Sequence, residues 1–207
     1  MKKLSVVIVI AILCGTFFLS QCSENKTGET KNQKDTVLVG GKATGSYENQ
    51  VKWGEHLVTA IGCGDCHTPK KMGSMGPEDD STLLLSGHPA KMPAPDVDRK
   101  EMESKGLFVS GTLTAWVGPW GISYSANLTS DSTGIGMWKE DQFLFAIRNG
   151  KQKGLAGTRM LLPPMPWQSY RNLNDDELKA IFVYLKSTKP IYNNVPPPAP
   201  PVVQRKM

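Results

Sequence analysis

"IGCGDCHTPK", residues 61–70, decides how the chain is read. Cys63 and Cys66 lie three positions apart, and His67 follows the second cysteine directly. Such a cluster can hold a structural metal, exchange as a dithiol, or carry a covalent cofactor. Structural zinc takes four ligands. His67 adjoins Cys66 and is badly placed for the same tetrahedral ion, and the other histidines, His56 and His88, lack finger spacing. Of the four cysteines, Cys14 and Cys22 belong to the N-terminal region, which leaves Cys63 and Cys66 alone in the folded part. Zinc therefore fits poorly.

An exported Cys-x-x-Cys can exchange disulfides, but the flanking residues lack the βαβ pattern on which such a site rests. Cys-x-x-Cys-His is also the attachment signal for c-type haem. The two thiols then form thioethers with the porphyrin vinyls, and the adjacent histidine ligates the iron. An exported location suits this reading better than the other two, with the dithiol as its rival.

Export is read from the start, "MKKLSVVIVIAILCGTFFLSQ", residues 1–21. Lys2 and Lys3 precede an apolar run from Leu4 to Leu19, shorter than the roughly 20 apolar residues of a spanning helix. A secretory signal is the better reading. The "FLSQCS" that follows resembles the lipobox of bacterial lipoproteins, with Cys22 as the acylated residue and membrane attachment through the lipid. Gln21 departs from the small residue usual there, and ordinary cleavage or an uncleaved anchor are the alternatives. Cleavage before Cys22 removes Lys2 and Lys3 and takes the net charge from +5 to +3. So weak and scattered a charge points to no nucleic-acid partner. Residues 22–46 are polar and glycine-containing and read as a lipidated start and flexible tether. Residues 192–207 form a Pro-rich tail, read as a polyproline II spacer or partner ligand, with the spacer preferred. The folded domain is placed at 47–191.

Three stretches have helical periodicity. "YENQVKWGEHLVTAIG" spaces Tyr47, Val51, Gly54, Leu57, Val58 and Ile61 along one face and delivers Cys63 at its end. "KEDQFLFAIRNG" places Phe143, Ala146 and Ile147 together and stops at Gly150. "NDDELKAIFVYLKS" combines an Asn174 N-cap and Glu177 at the capping-box position with Leu178, Ile181, Phe182 and Leu185.

With "CGDCHTP", "ANLTSDSTGIGMWKEDQFLFAIRNGK" and "PPMPWQSYRNLNDDELKAIFVYLKS", the chain resembles class I cytochromes c over about residues 47–191. Within them it is similar to the single-haem bacterial domains found in cytochrome subunits of periplasmic dehydrogenases. The resemblance implies an all-α cytochrome c fold with one haem c, His–Met axial ligation and an electron-carrying role. A long loop with a short hairpin would lie between the haem motif and the axial methionine. It also implies that the first and last helices cross, with Gly54 allowing close approach to an aromatic, for which Tyr184 is the candidate. Lys139 departs from the serine or threonine usual before the middle helix, which puts an N-cap in doubt.

His67 supplies one axial nitrogen. His56 precedes the motif too closely to reach the far haem face, and His88, in "LSGHPAKMP", reads as a solvated loop residue. Met165 sits in "PPMPW", where Pro163, Pro164 and Pro166 stiffen the backbone. A stiff loop holds a ligand at little ordering cost, and the family pattern aligns its axial methionine there. Met160 lacks that frame and is the second choice. Residues 71–126 read as an insert wrapping the pocket rim. Within it, "SGTLTAWVGPWGISYS" suggests a hairpin, and Trp116, Trp120 and Tyr124 suggest core packing. Asn127 either caps a turn or meets a haem propionate.

These readings converge on an exported, lipid-anchored c-type cytochrome on the periplasmic side of a bacterial membrane, passing electrons between redox partner proteins. No nucleophile–base constellation stands out, so the chain is not read as an enzyme on its own. The alternatives are a fixed cytochrome subunit of a dehydrogenase or oxidase complex, and a haem sensor or peroxidase with an open iron.

Overall fold

The computed structural model describes residues 47–202. The signal segment 1–21, Cys22 and the tether to residue 46 lie outside the described residues, as do residues 203–207. In chain order the elements are α1 (Gln50–Ala60), α2 (Cys63–His67), β1 (Lys70–Gly73), β2 (Gly76–Asp79), α3 (Arg99–Lys105), β3 (Phe108–Val109), β4 (Ala115–Gly118), β5 (Gly121–Tyr124), α4 (Glu140–Asn149), α5 (Trp167–Tyr170) and α6 (Asp175–Ser187). Among the described residues no helix is long and apolar enough to cross a membrane.

The three periodic stretches form helices. Asn49 caps α1 by accepting from the Lys52 amide at 3.0 Å. At α6, Asn174 Oδ1 accepts from the Glu177 amide at 2.9 Å while Glu177 Oε2 accepts from the Asn174 amide at 2.7 Å. At α4 the Lys139 side chain offers no acceptor. The Gln142 side-chain Oε1 accepts from the Lys139 backbone amide at 3.4 Å, and Asp141 Oδ1 accepts from the Gln142 backbone amide at 2.8 Å. Val58, Phe143, Ile147, Leu178, Ile181, Phe182 and Leu185 form the buried core with Leu85 and Ile135 from the loops.

Gly54 is where α1 meets α6. A Cβ there would run into the Ala180 carbonyl and lie 2.7 Å from Tyr184 Cβ. The expected approach to Tyr184 is therefore present, and backbone as well as side chain enforces it. We expect Gly54→Ala to cost about 3 kcal/mol, at the upper end of overpacking penalties, because a helix axis and not a rotamer must move. Urea denaturation checks this, and a midpoint equal to wild type would contradict the tight crossing.

The expectation of an all-α protein is overturned by two small antiparallel sheets, β1–β2 and β3–β4–β5. The second contains the anticipated hairpin, with Val117 opposite Ile122 and Pro119–Trp120 at the turn. The first was not anticipated. Its strands are mostly exposed, so no period-2 apolar pattern marks them. Cross-strand charge supports them instead: Lys70 pairs with Asp79 and Lys71 stands opposite Glu78. Helix α3 was also unforeseen. It has little apolar face, but Asp98 Oδ1 caps it by accepting from the Glu101 amide at 3.1 Å.

The tail is not a free spacer over its described part. Ala199 exchanges backbone bonds with Ile122, extending the edge at β5. Arg99 donates to Glu103 Oε1 at 2.7 Å and to the Pro200 carbonyl at 2.5 Å, while Glu103 Oε2 accepts from the Val202 amide at 2.7 Å. Asn193 is buried, its Nδ2 donating to the Ser86 and His88 carbonyls and its Oδ1 accepting from the Ala90 amide. Asn193→Ala orphans these buried groups and should cost about 3 kcal/mol. A lowered denaturation midpoint together with faster amide exchange at Val195 and Ala199 is the expected signature. Loss of stability without faster exchange there would dissociate the tail from this anchor.

Candidate functional site

Gly62, with φ 72°, ends the run from α1 in the left-handed region, where a side chain is strained. The turn starts α2 immediately, so Cys63, Cys66 and His67 share one short helix. His67 is buried, and its Nδ1 lies 2.7 Å from the Ala126 carbonyl. A carbonyl only accepts, so Nδ1 carries the proton and Nε2 keeps a lone pair for a metal. Burial lowers the His67 pKa, against the smaller opposing effect of the Ala126 bond, which favours that neutral ring. The residues after the motif lock it in place: Thr68 Oγ1 accepts from the Leu85 amide at 3.0 Å, and the His67 carbonyl accepts from the Gly87 amide at 2.8 Å.

Cys63 and Cys66 are not joined in a disulfide. Burial pushes the Cys63 thiol up to about 12, and burial raises that of Cys66 as well. Exchanging dithiols need a lowered thiolate pKa, so this environment counts against the redox-dithiol alternative. Among the described residues there is no group of three or more His, Cys, Asp or Glu side chains that could hold a metal ion.

Cys63, Cys66 and His67 open onto a cavity of about 520 Å³, and Met165 lines the same cavity. Its wall is mostly apolar, with Leu128, Ile135, Trp138, Phe143, Ala146, Ile147 and Leu162 contributing. The volume lies within the range of roughly 300–1,000 Å³ for small-molecule and cofactor sites. Two thiols, a neutral imidazole with a free nitrogen, a thioether and an apolar wall fit the group that the Cys-x-x-Cys-His pattern calls for.

Met165 is half-buried and packs against the core, whereas Met160 is 40 % exposed, bridges Lys151 and does not line the cavity. His56 is exposed on α1 and absent from the wall. His88 corrects the expectation of a solvated residue. It is fully buried, its Nδ1 lies 2.9 Å from Thr114 Oγ1, and its ring packs 4.8 Å from that of Tyr124. Tyr124 and Trp116 line the cavity, while Trp120 turns to Ser123 Oγ at 3.0 Å.

Asn127 organises a turn. Its Oδ1 accepts from the Thr129 amide and hydroxyl, and its Nδ2 donates to Thr133 Oγ1 and the Ile191 carbonyl. No side-chain amide hydrogen of Asn127 is left for a propionate.

Several wall residues had no signal in the sequence. Tyr170, in the short helix α5, donates to the Ile61 carbonyl at 2.7 Å and so ties that helix to the start of the motif. Gln152, Lys153 and Arg159 come from the loop after α4, and Asn194 to Pro198 come from the tail. No periodicity, spacing or motif marks any of them.

No family model matches the chain. It is 35 % identical over 148 residues to the fructose dehydrogenase cytochrome subunit of Gluconobacter japonicus, covering 70 % of this chain and 23 % of that protein. It is 40 % identical over 135 residues to the gluconate 2-dehydrogenase cytochrome c subunit of Pantoea cypripedii, covering 65 % and 22 %. A shorter match, 39 % over 79 residues, is to a nicotinate dehydrogenase subunit of Pseudomonas putida, covering 38 % and 6 %. The chain spans less than a quarter of the length of each of these curated relatives. With these similarities the chain is cytochrome c-like.

Proposed function

We propose that this cytochrome c-like chain is an electron-transfer protein carrying one covalently bound haem c. Cys63 and Cys66 would attach it through thioethers, and His67 and Met165 would supply the protein's ligands to its iron. One observation supports this above the others: all four side chains line a single, mainly apolar cavity of about 520 Å³. When bound, the haem supplies reversible one-electron chemistry at iron.

The chain's own residues do the rest. The Ala126 carbonyl fixes the ring and tautomer of His67. The loop Pro163–Met165–Pro166 holds the thioether on a stiff backbone. The apolar wall keeps water away, and thioether ligation raises the potential. With Met165 sulfur on the iron no open position would remain, and a sensor or peroxidase role would be disfavoured.

A fixed cytochrome subunit is the second reading. It is favoured by the relatives, whose names place them as cytochrome subunits of fructose and gluconate dehydrogenases. The chain then takes electrons from a dehydrogenase partner and does not act on the substrate itself. Export, acylation at Cys22 and a periplasmic, lipid-anchored location complete the proposal.

Oxidised and reduced spectra of the purified wild type test it. We expect low-spin c-type bands, a sulfur-to-iron charge-transfer band in the oxidised state, and no carbon monoxide binding after reduction. Ready carbon monoxide binding would instead indicate an open iron. Copurification of a catalytic subunit separates fixed subunit from free carrier. Labelled fatty acid that never enters the wild-type chain would remove the lipid anchor from the proposal.

A further inference from the structure

We propose that Lys153 and Arg159 receive the two propionate carboxylates of the haem, an assignment that rests on the haem reading above. Both residues line the cavity, and no aspartate or glutamate among the described residues does. None of the ion pairs among the described residues engages either cation. The wall thus offers two unneutralised positive charges and otherwise a mainly apolar surface. A ligand matched to it has an apolar body and two anionic groups, which is the chemistry of a porphyrin bearing two propionates.

Several of the other polar groups on the wall are spent on the protein. Both amide hydrogens of Asn127 are used. Ser123 Oγ donates to the Pro163 carbonyl at 2.6 Å, and the Tyr170 hydroxyl donates to Ile61. A carboxylate drawn from water needs charged or hydrogen-bonding partners, and the two cations are the strongest donors left to it.

The loop that bears them is braced. The Gln152 amide donates to the Arg159 carbonyl at 3.0 Å, and the Leu161 amide donates to the Gly150 carbonyl at 2.7 Å. Thr158 Oγ1 donates to the Gln152 carbonyl at 2.6 Å. Lys153 itself holds φ 55°, a conformation uncommon for a residue with a side chain, and Gln142 Nε2 donates to its carbonyl at 2.7 Å. These bonds join the two arms of the loop, so both cations face the cavity from one framework. Arg159 also suits bidentate carboxylate binding, which lysine cannot reproduce.

The test uses the full-length holoprotein and four variants: Lys153→Gln, Arg159→Gln, the double variant, and Arg159→Lys. Covalent haem and the sulfur-to-iron band should persist in all of them. The midpoint potential should fall in each glutamine variant and furthest in the double, because nearby positive charge favours the reduced state. Arg159→Lys should recover part of the loss, and the propionate bending bands in the resonance Raman spectrum should shift in the glutamine variants. Lys153 is exposed, so Lys153→Gln remains decisive should Arg159→Gln not fold. Unchanged potential and Raman bands in the double variant would overturn the assignment. An effect confined to the salt dependence of electron transfer would overturn it too, making the pair a docking patch for an acidic partner. A wild type without covalent haem would instead overturn the underlying function.

Discussion

Replacing both Cys63 and Cys66 with alanine is expected to abolish haem staining that survives denaturing electrophoresis, and to leave a chain that does not fold cooperatively. The two thiols are the attachment points in the proposed function. The loss of folding follows from the cavity. A ligand that fills a mostly apolar cavity of about 520 Å³ adds apolar burial to a fold whose whole stability is typically about 5–15 kcal/mol, so its loss is expected to weigh heavily. Phe143, Ile147, Ile135 and Leu128 line the cavity and also belong to the core or pack against it. The haem is therefore expected to complete the core as a bound ligand that stabilises the folded state. Far-ultraviolet circular dichroism with thermal melting reads the fold, and haem staining reads the attachment. A double variant that keeps covalent haem refutes the attachment site. One that lacks haem and still melts cooperatively at the wild-type temperature shows that the apoprotein core suffices.

Met165→Ala is expected to remove the sulfur-to-iron charge-transfer band and to lower the midpoint potential. Axial ligand identity spans about 0.8 V across haem proteins, so exchanging thioether for water or a weak donor should shift the potential on the order of hundreds of millivolts. The reduced variant should also bind carbon monoxide. Met160→Ala is the control. Met160 is exposed and absent from the cavity wall, so the band and the potential should survive. The reverse outcome, with the band lost in Met160→Ala and kept in Met165→Ala, would exchange the two assignments. Retention of the band in both would move the sulfur to another residue. Met72 and Met75 are poor substitutes, at 79 % and 94 % exposure on the β1–β2 hairpin.

These two expectations rest on features that are local in the chain. Cys63, Cys66 and His67 stand out in the sequence because the proposed attachment chemistry requires their spacing. Met165 stands out because three prolines within the adjoining residues announce a stiff loop. Helices α1, α4 and α6 are legible because an apolar face repeats every three or four residues and caps mark the ends.

The unread parts share the opposite property. The β1–β2 hairpin buries too little apolar surface to impose alternation. Helix α3 has a good cap but few apolar residues, and its most buried member is Glu103, which a pattern search discards as polar. His88 reads as a loop histidine until Thr114 and Tyr124, distant in sequence, close around it. The tail reads as a spacer from its prolines, since nothing near it in sequence foretells that Arg99, Glu103 and the edge at β5 hold it against the body.

The amino-acid order alone thus specified the Cys-x-x-Cys-His motif, the three principal helices and the proline-flanked methionine loop, because covalent spacing, helical period and proline geometry act within a few residues. Tertiary structure alone decided the cavity wall: which methionine reaches it, that Asn127 is spent on a turn, that the proline tail closes one side, and that Lys153 and Arg159 line it with no ion-pair partner among the described residues. Those outcomes depend on pairings between residues tens of positions apart, and such pairings exist only after the core has set the distances between them.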